Sequence, residues 1–299
     1  MSEDGLSTKL NHDDILSFDE IVKFVKVCAS KGVNSVRITG GEPLVRRGVE
    51  NLVSMINNID GIDDVSFTTN AILLPQYAKK LKDAGLKRIN ISLDTLDPDT
   101  YKKITRVGNL DDVLAGIDAA LDCGFDPVKI NCVANKNHKI AFYEVAKLST
   151  EKKLHVRFIE YMPIGMNYDA SNFIEWKDIL EEINNEADNF GEARIEAAED
   201  TPNGYGPAKY YKFSNSLGTV GFITAISNQF CSECNRIRLT ADGKIRPCLF
   251  SDEEYSVRQY LRDDNLDKVE QILLEAVNNK PKEHGHNLST LRQMNQIGG

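Results

Sequence analysis

The chain has 299 residues, a net charge of −9 and 41% hydrophobic residues, enough for one large α/β domain with an appendage or for two domains. No apolar run reaches the roughly 18 residues that a membrane span needs. The acidic balance speaks against a general nucleic-acid or anionic-membrane surface, so an anionic ligand would need local clusters of Lys and Arg.

Six cysteines without a signal-like apolar N-terminus indicate a cytoplasmic, reducing setting, where thiols ligate metals or pack in cores. After a polar leader, residues 18–31 carry apolar side chains at helical spacing, so the first regular element is a helix with no strand before it. Five β-branched runs follow: SVRITG (35–40), DVSFTT (64–69), RINISL (88–93), VKINCV (128–133) and HVRFIE (155–160). Helical patterns such as 110–123 and 140–150 separate them, and a further helix is expected to start near Arg46. The alternation predicts a parallel sheet with crossover helices. Polar residues gather at the strand ends (Thr39, Thr68, Thr69, Asn70, Ser92, Asp94, Asn131, Glu160), which favours a barrel over an open sheet with one switch point. The fold expected is therefore an incomplete (β/α) TIM-like barrel over residues 1–185, its first strand missing and its strand at 36–38 left with a free edge. Either a segment precedes Met1 in the complete protein or that strand has been lost.

A smaller C-terminal α+β iron–sulfur subdomain is expected over residues 186–299. Residues 172–183 read as a helix and 181–206 as an acidic, solvated connection. Residues 210–213 and 219–226, around Asn215-Ser216-Leu217-Gly218, read as an antiparallel hairpin, and 257–262 and 266–277 as helices.

Cys231, Cys234 and Cys248 lie in CSECNRIRLTADGKIRPCLF with no cysteine after them. The close pair and a third thiol across the Ala241-Asp242-Gly243 turn suit a metal cluster with one position open, whereas a structural zinc ribbon normally completes four ligands. The spacing therefore favours an iron–sulfur cluster, with zinc as the alternative. Arg236 and Arg238 alternate beside these cysteines and would hold an anion. Arg37, Lys129 and Arg157 sit inside strands; facing inward they would form a polyphosphate pocket, facing outward they would lie under the helices. Gly40-Gly41-Glu42-Pro43 forms a βα turn in which bare backbone can approach a ligand and Glu42 can take a cationic amino group. Arg46 and Arg47 read as surface charges, Cys28, Cys123 and Cys132 as buried free thiols, and His284 with His286 as part of a polar loop.

GGEPLVRR after VRIT, then TTN, NISLD, VKINCV, RFIEYM, FCSECNRIRLTADGKIRPCLF and a terminal IGG, in that order, resemble the GTP 3',8-cyclase family of radical S-adenosylmethionine (SAM) enzymes in molybdenum cofactor biosynthesis. The resemblance implies an auxiliary [4Fe-4S] cluster on Cys231, Cys234 and Cys248 whose open iron meets the guanine. It implies GTP contacts from Arg37, Thr68, Lys129, Arg236 and Arg238, with Arg157 at the phosphates. SAM would meet Gly41, Ser92 and the Met162 backbone, with Glu42 near its amino group, while Gly298 and Gly299 would reach back to organise the site. It also implies a low-potential electron donor of flavodoxin or ferredoxin type, a downstream cyclic pyranopterin monophosphate synthase and a homodimer. The family's SAM-cleaving cluster sits on a Cys-x3-Cys-x2-Cys motif whose spacing none of the six cysteines has. That second [4Fe-4S] cluster is expected only in a longer form, and the sequence as it stands is expected to be unable to cleave SAM, having no iron to chelate and reduce it. A non-catalytic GTP-binding iron–sulfur protein derived from the family is the alternative.

Overall fold

Ser17 opens the first helix, α1 (Phe18–Ser30), with a capping box: its hydroxyl accepts from the Glu20 amide at 3.2 Å and the Glu20 carboxylate accepts from the Ser17 amide at 2.6 Å. In this computed structural model the described residues are 11–165, 168–204, 206–283 and 290–297, with the side chains of His12 and Asn295 left aside.

The strands expected from β-branched runs form as β1 (Ser35–Ile38), β2 (Asp64–Thr69), β3 (Arg88–Ser92), β4 (Val128–Ala134) and β5 (Leu154–Glu160), all parallel and in sequential order. Helices α2 (Val49–Asn57), α3 (Leu74–Asp83), α4 (Pro98–Thr105), α5 (Leu110–Asp122) and α6 (Phe142–Glu151) return the chain between them. The sheet does not stop at residue 185. After α7 (Trp176–Asn189) come β6 (Glu196–Ala197), β7 (Lys209–Lys212) and β8 (Thr219–Ile223), and β8 inserts parallel to β5 as a sixth barrel strand, followed outward by antiparallel β7 and β6. Among the described residues β1 is the outer strand at the other end.

Three sequence expectations are corrected. The turn after β1 is a short 3-10 segment, Pro43–Val45, and α2 begins only at Val49, because Glu42 caps the shorter turn through the Leu44 amide. The helix expected at 172–183 runs Trp176–Asn189: residues Ala170–Asn172 make a separate 3-10 turn and the Glu160 carboxylate accepts from the Trp176 amide, which fixes the start. Much of the expected acidic connection is thus helix or the small strand β6. Arg46 is not a free surface charge, since its Nη2 donates to the Leu16 carbonyl at 2.5 Å and its guanidinium lies 4.4 Å from the Phe18 ring centre.

The C-terminal part adds a small antiparallel sheet of β9 (Arg238–Leu239), β10 (Lys244–Arg246) and β11 (Tyr255–Ser256), backed by α8 (Arg258–Arg262) and α9 (Leu266–Asn278), with a last short helix α10 (Met294–Ile297). Helix α1 joins the two cores: Val25 packs with the barrel, while Phe24, Val27 and Cys28 pack with Ile245, Leu261, Val269 and Leu273. Burial pushes the Cys28 thiol up to about 12, the behaviour of an inert core cysteine.

Helix packing tolerances are tight at α5. A methyl group on Gly116 would stand 2.2 Å from the Ala71 carbonyl oxygen in the turn after β2. Gly116→Ala is expected to destabilise by about 1–3 kcal/mol, the range for overpacking, read as a lowered thermal midpoint with unchanged circular dichroism at low temperature.

Candidate active site

Every barrel strand alternates, but between apolar and polar residues. The outward positions (Val65, Phe67, Ile89, Ile91, Val128, Ile130, Val156, Phe158, Val220 and Phe222) are buried in the helix-covered core. The inward positions form three rows across the sheet. One is Arg37, Ser66 and Arg88; the next is Thr68, Asn90, Lys129, His155 and Thr219; the third is Ser92, Asn131, Arg157, Gly221 and Tyr210. A TIM-like barrel ordinarily fills this space with branched apolar side chains. Here it is a polar chamber.

Its charge is one-sided. Arg37, Arg88, Lys129 and Arg157 are met by the carboxylate of Asp64, which Arg88 holds with a two-pronged pair whose Nε–Oδ1 arm is 2.7 Å. Although burial pushes the Asp64 carboxyl up, the Arg88 bonds outweigh it and keep it below the usual range. Burial, then Arg157, Arg88 and Arg37, bring the Lys129 ammonium down to about 7. Burial and the cations Arg157, Arg88, Arg236 and Arg238 bring Arg37 down to about 10. Water still reaches Arg37, which places it in a crowded but open concavity. Arg238 is lowered to about 10 by burial and by Arg236, so both guanidinium groups of the C-terminal part act on the barrel chamber. His155 is held near 4 by burial and Lys129, and its Nδ1 lies 2.9 Å from the Thr219 hydroxyl, so it enters the chamber as a neutral ring.

Residues 203 and 204 lie against the N-terminal end. The Asn203 carbonyl accepts from Lys129 Nζ at 2.8 Å, and Gly204, at φ +122°, lies so close to Arg88 that any Cβ there would stand 1.6 Å from its Nη1. The opposite mouth carries the Gly40-Gly41 turn, Ser92 and Met162, with Gly41 and Ser92 exposed. Glu42 does not extend freely into this mouth. Its carboxylate accepts from the Thr69 hydroxyl at 2.8 Å, the Asn70 amide at 2.7 Å and the Leu44 amide at 3.0 Å, tying the glycine turn to the end of β2. Buried Glu160 does similar work at β5, accepting from the amides of Ile226 and Ser227 at 2.9 Å each and from the Ser227 hydroxyl.

Cys231 begins a 3-10 turn that ends at Cys234, whose amide donates to the Cys231 carbonyl at 3.1 Å, and Cys248 follows β10. Cys234 and Cys248 both act electrostatically on Arg238. Lys280, at the end of α9, donates to the carbonyls of Cys234 at 2.7 Å and Arg236 at 2.8 Å and approaches the Cys234 sulfur at 3.4 Å. Among the described residues no three His, Cys, Asp or Glu side chains are grouped to hold a single metal ion. Arg292 ties the last segment down by donating to Asp242 at 3.0 and 2.9 Å and to Glu254 at 2.8 Å. Gly298, Gly299, His284 and His286 lie outside the described residues.

Sequence reasoning named Arg37, Thr68, Lys129 and Arg157, which the sheet brings onto one face, but missed Ser66, Arg88, Asn90, His155, Thr219, Gly221 and Tyr210. The signal was present as period-two alternation inside RINIS, VKINCV and HVRFIE.

Residues 4–148 match the Radical SAM superfamily model and residues 154–286 the Molybdenum Cofactor Synthesis C model. A protein named GTP 3',8-cyclase from Pelotomaculum thermopropionicum is 44% identical over 309 residues, spanning 100% of this chain and 92% of that one. Another of the same name from Thermodesulfovibrio yellowstonii is 39% identical over 302 residues with the same two coverages, 100% and 92%. Among solved structures, native anSMEcpe with bound AdoMet shares the fold at TM-score 0.58 and 15% identity, covering 95% of this chain and 76% of that one. SuiB from Streptococcus suis, bound to S-adenosylmethionine, does so at TM-score 0.56 and 16% identity, covering 87% and 58%. Fold and matches define a radical SAM enzyme with an iron–sulfur and SAM-dependent chemistry and a C-terminal part of the molybdenum cofactor synthesis type. Within that class, the chain belongs to the GTP 3',8-cyclase family. No helix among the described residues is long and apolar enough to cross a membrane.

Proposed function

We propose that this protein is a GTP 3',8-cyclase of molybdenum cofactor biosynthesis, closing the ribose of GTP onto its base by SAM-derived radical chemistry. The cationic chamber carries the reading. Arg37, Lys129 and Arg157, joined by Arg236 and Arg238, form an excess of positive charge whose neighbouring carboxylate, Asp64, is already held by Arg88. Such a cluster complements a triphosphate, and Thr68 and the asparagines beside it offer hydrogen bonds. SAM would bind at the mouth against Gly41, Ser92 and the Met162 backbone, with Glu42 holding the glycine turn in place rather than reaching far outward.

Cys231, Cys234 and Cys248 would hold an auxiliary [4Fe-4S] cluster. The 3-10 turn pairs the first two, and the second and third share Arg238 as an electrostatic neighbour. In a cubane each of the three thiolates would take a different iron and the fourth iron would be left open. When bound, such a cluster supplies an open iron for the guanine. The chain's own part is to fix the triphosphate, orient the nucleotide and keep water from the reacting centre. Gly298 and Gly299 complete the proposed site. A low-potential flavodoxin- or ferredoxin-type donor, a cyclic pyranopterin monophosphate synthase downstream, a homodimer and a cytoplasmic setting accompany this reading.

The second reading is a non-catalytic GTP-binding iron–sulfur protein, which would use the same chamber and cysteines without cleaving SAM. Deoxyadenosine formed under reducing conditions above the protein-free background removes that reading. Calorimetric binding of GTP tests both, and no binding would remove both. After anaerobic reconstitution the wild type and Cys123→Ser are expected to hold about four irons per chain. Cys231→Ser and Cys248→Ser are expected to hold little. Equal iron and sulfide in all four proteins would overturn the ligand assignment.

A further inference from the structure

The third row of the chamber ends in a tyrosine that the reading above does not use. Arg157, 4% exposed, directs Nη2 to Asn90 Oδ1 at 2.7 Å and to Asn131 Oδ1 at 2.5 Å, while its buried Nε has no hydrogen-bond partner. Tyr210 lies two strands away on β7, and the residue between them on β8 is Gly221, in register with both. A Cβ at 221 would stand 2.8 Å from Tyr210 Cε1, 2.9 Å from its Cδ1 and 3.3 Å from Arg157 Cγ. The ring and the arginine stem therefore meet over bare backbone, a packing that a side chain at 221 would break. Burial works against the Arg157 charge, and Tyr210 is the neighbour that favours it.

We infer that Tyr210, seated on Gly221, is a positioning residue for anion binding: it fixes the Arg157 guanidinium between itself and the Asn90–Asn131 pair, aimed at a polyphosphate. A long arginine side chain has many rotamers to lose, and a guanidinium held on two sides before the ligand arrives binds it with less ordering. The inference rests on the chamber being a triphosphate site, and the experiment separates the two claims.

Calorimetry on the full chain would use GTP and inorganic tripolyphosphate as probes, with SAM as a control ligand. Tyr210→Phe keeps the ring and removes the hydroxyl; Gly221→Ala displaces the ring. Each variant is expected to weaken both anions about tenfold, the scale of one hydrogen bond to a charged group, while SAM affinity stays unchanged. The double variant is expected to bind no more weakly than Gly221→Ala alone, because both act through one contact. Should Gly221→Ala fail to fold, Tyr210→Phe carries the test, since its shape is preserved. If the wild type binds neither anion, the triphosphate site itself falls. If the wild type binds both and the variants bind equally well, or lose affinity additively, or lower only the melting temperature, Tyr210 does not position Arg157.

Discussion

Asp64→Ala is expected to lower the stability of the ligand-free protein by about 3–5 kcal/mol, the scale for a buried charge deprived of its partner. Arg88 is 7% exposed, and its guanidinium faces Asp64 on one side and Gly204 on the other. Removing the carboxylate leaves that cation beside Lys129, Arg157 and Arg37, each already depressed by burial and then by neighbouring cations. Chemical denaturation reads the loss directly. Asp64→Ala/Arg88→Met should recover most of it, because no uncompensated charge remains. The pH dependence has a definite sign. The folded Asp64 carboxyl is held below its ordinary range, so its contribution is full above the unfolded value and disappears as pH falls through the folded one. In acid the single variant and the wild type should therefore converge. Saturating tripolyphosphate should stabilise Asp64→Ala more than the wild type, since the ligand then supplies the missing negative charge. A loss under 1 kcal/mol in the single variant would mean that Arg88 is not held as a buried charge.

The course of the chain through the barrel was legible because two signals agreed there. β-branched runs set the strands, and amphipathic spacing set the helices, so β2 spans the run read from sequence, Asp64–Thr69, and α5 starts at the expected Leu110. Boundaries failed where capping by distant residues decides them. Trp176 starts its helix because Glu160 of another element receives its amide, and no local pattern carries that information. The parallel pairing of β8 with β5 was hidden for a similar reason: the hairpin around 214–218 is local, while the return to β5 is long-range. In the candidate site, cations inside strands were conspicuous because charge there demands a partner. Asn90, Thr219 and Gly221 were not, since a single polar or small residue in a strand is ordinary until the register places it beside Arg157 or His155.

Lys129 makes the strongest pH-dependent prediction. The residue is 4% exposed, its ammonium rests on the Asn203 carbonyl at 2.8 Å and is surrounded by cations, and burial followed by Arg157, Arg88 and Arg37 brings it to about 7. A bound triphosphate reverses those terms, because an adjacent polyanion favours the charged form. The complex therefore holds the proton more tightly than the free protein. Affinity for GTP is full below the free value of about 7 and falls as pH rises towards the value in the complex, by at most tenfold per unit. The last ionisation of the phosphate, near 6, works in the opposite direction and is largely complete by about pH 7.5. Between about pH 7.5 and 9 the affinity is expected to fall roughly twentyfold. Calorimetry at pH 8 in two buffers of different ionisation enthalpy should show uptake of nearly one proton per GTP. Lys129→Met should bind weakly with no such uptake, and Lys129→Arg should bind without the alkaline loss, because its charge persists throughout this range. Flat wild-type affinity with no proton uptake would place the ammonium away from the phosphates, and the cation cluster would then owe its spacing to folding alone.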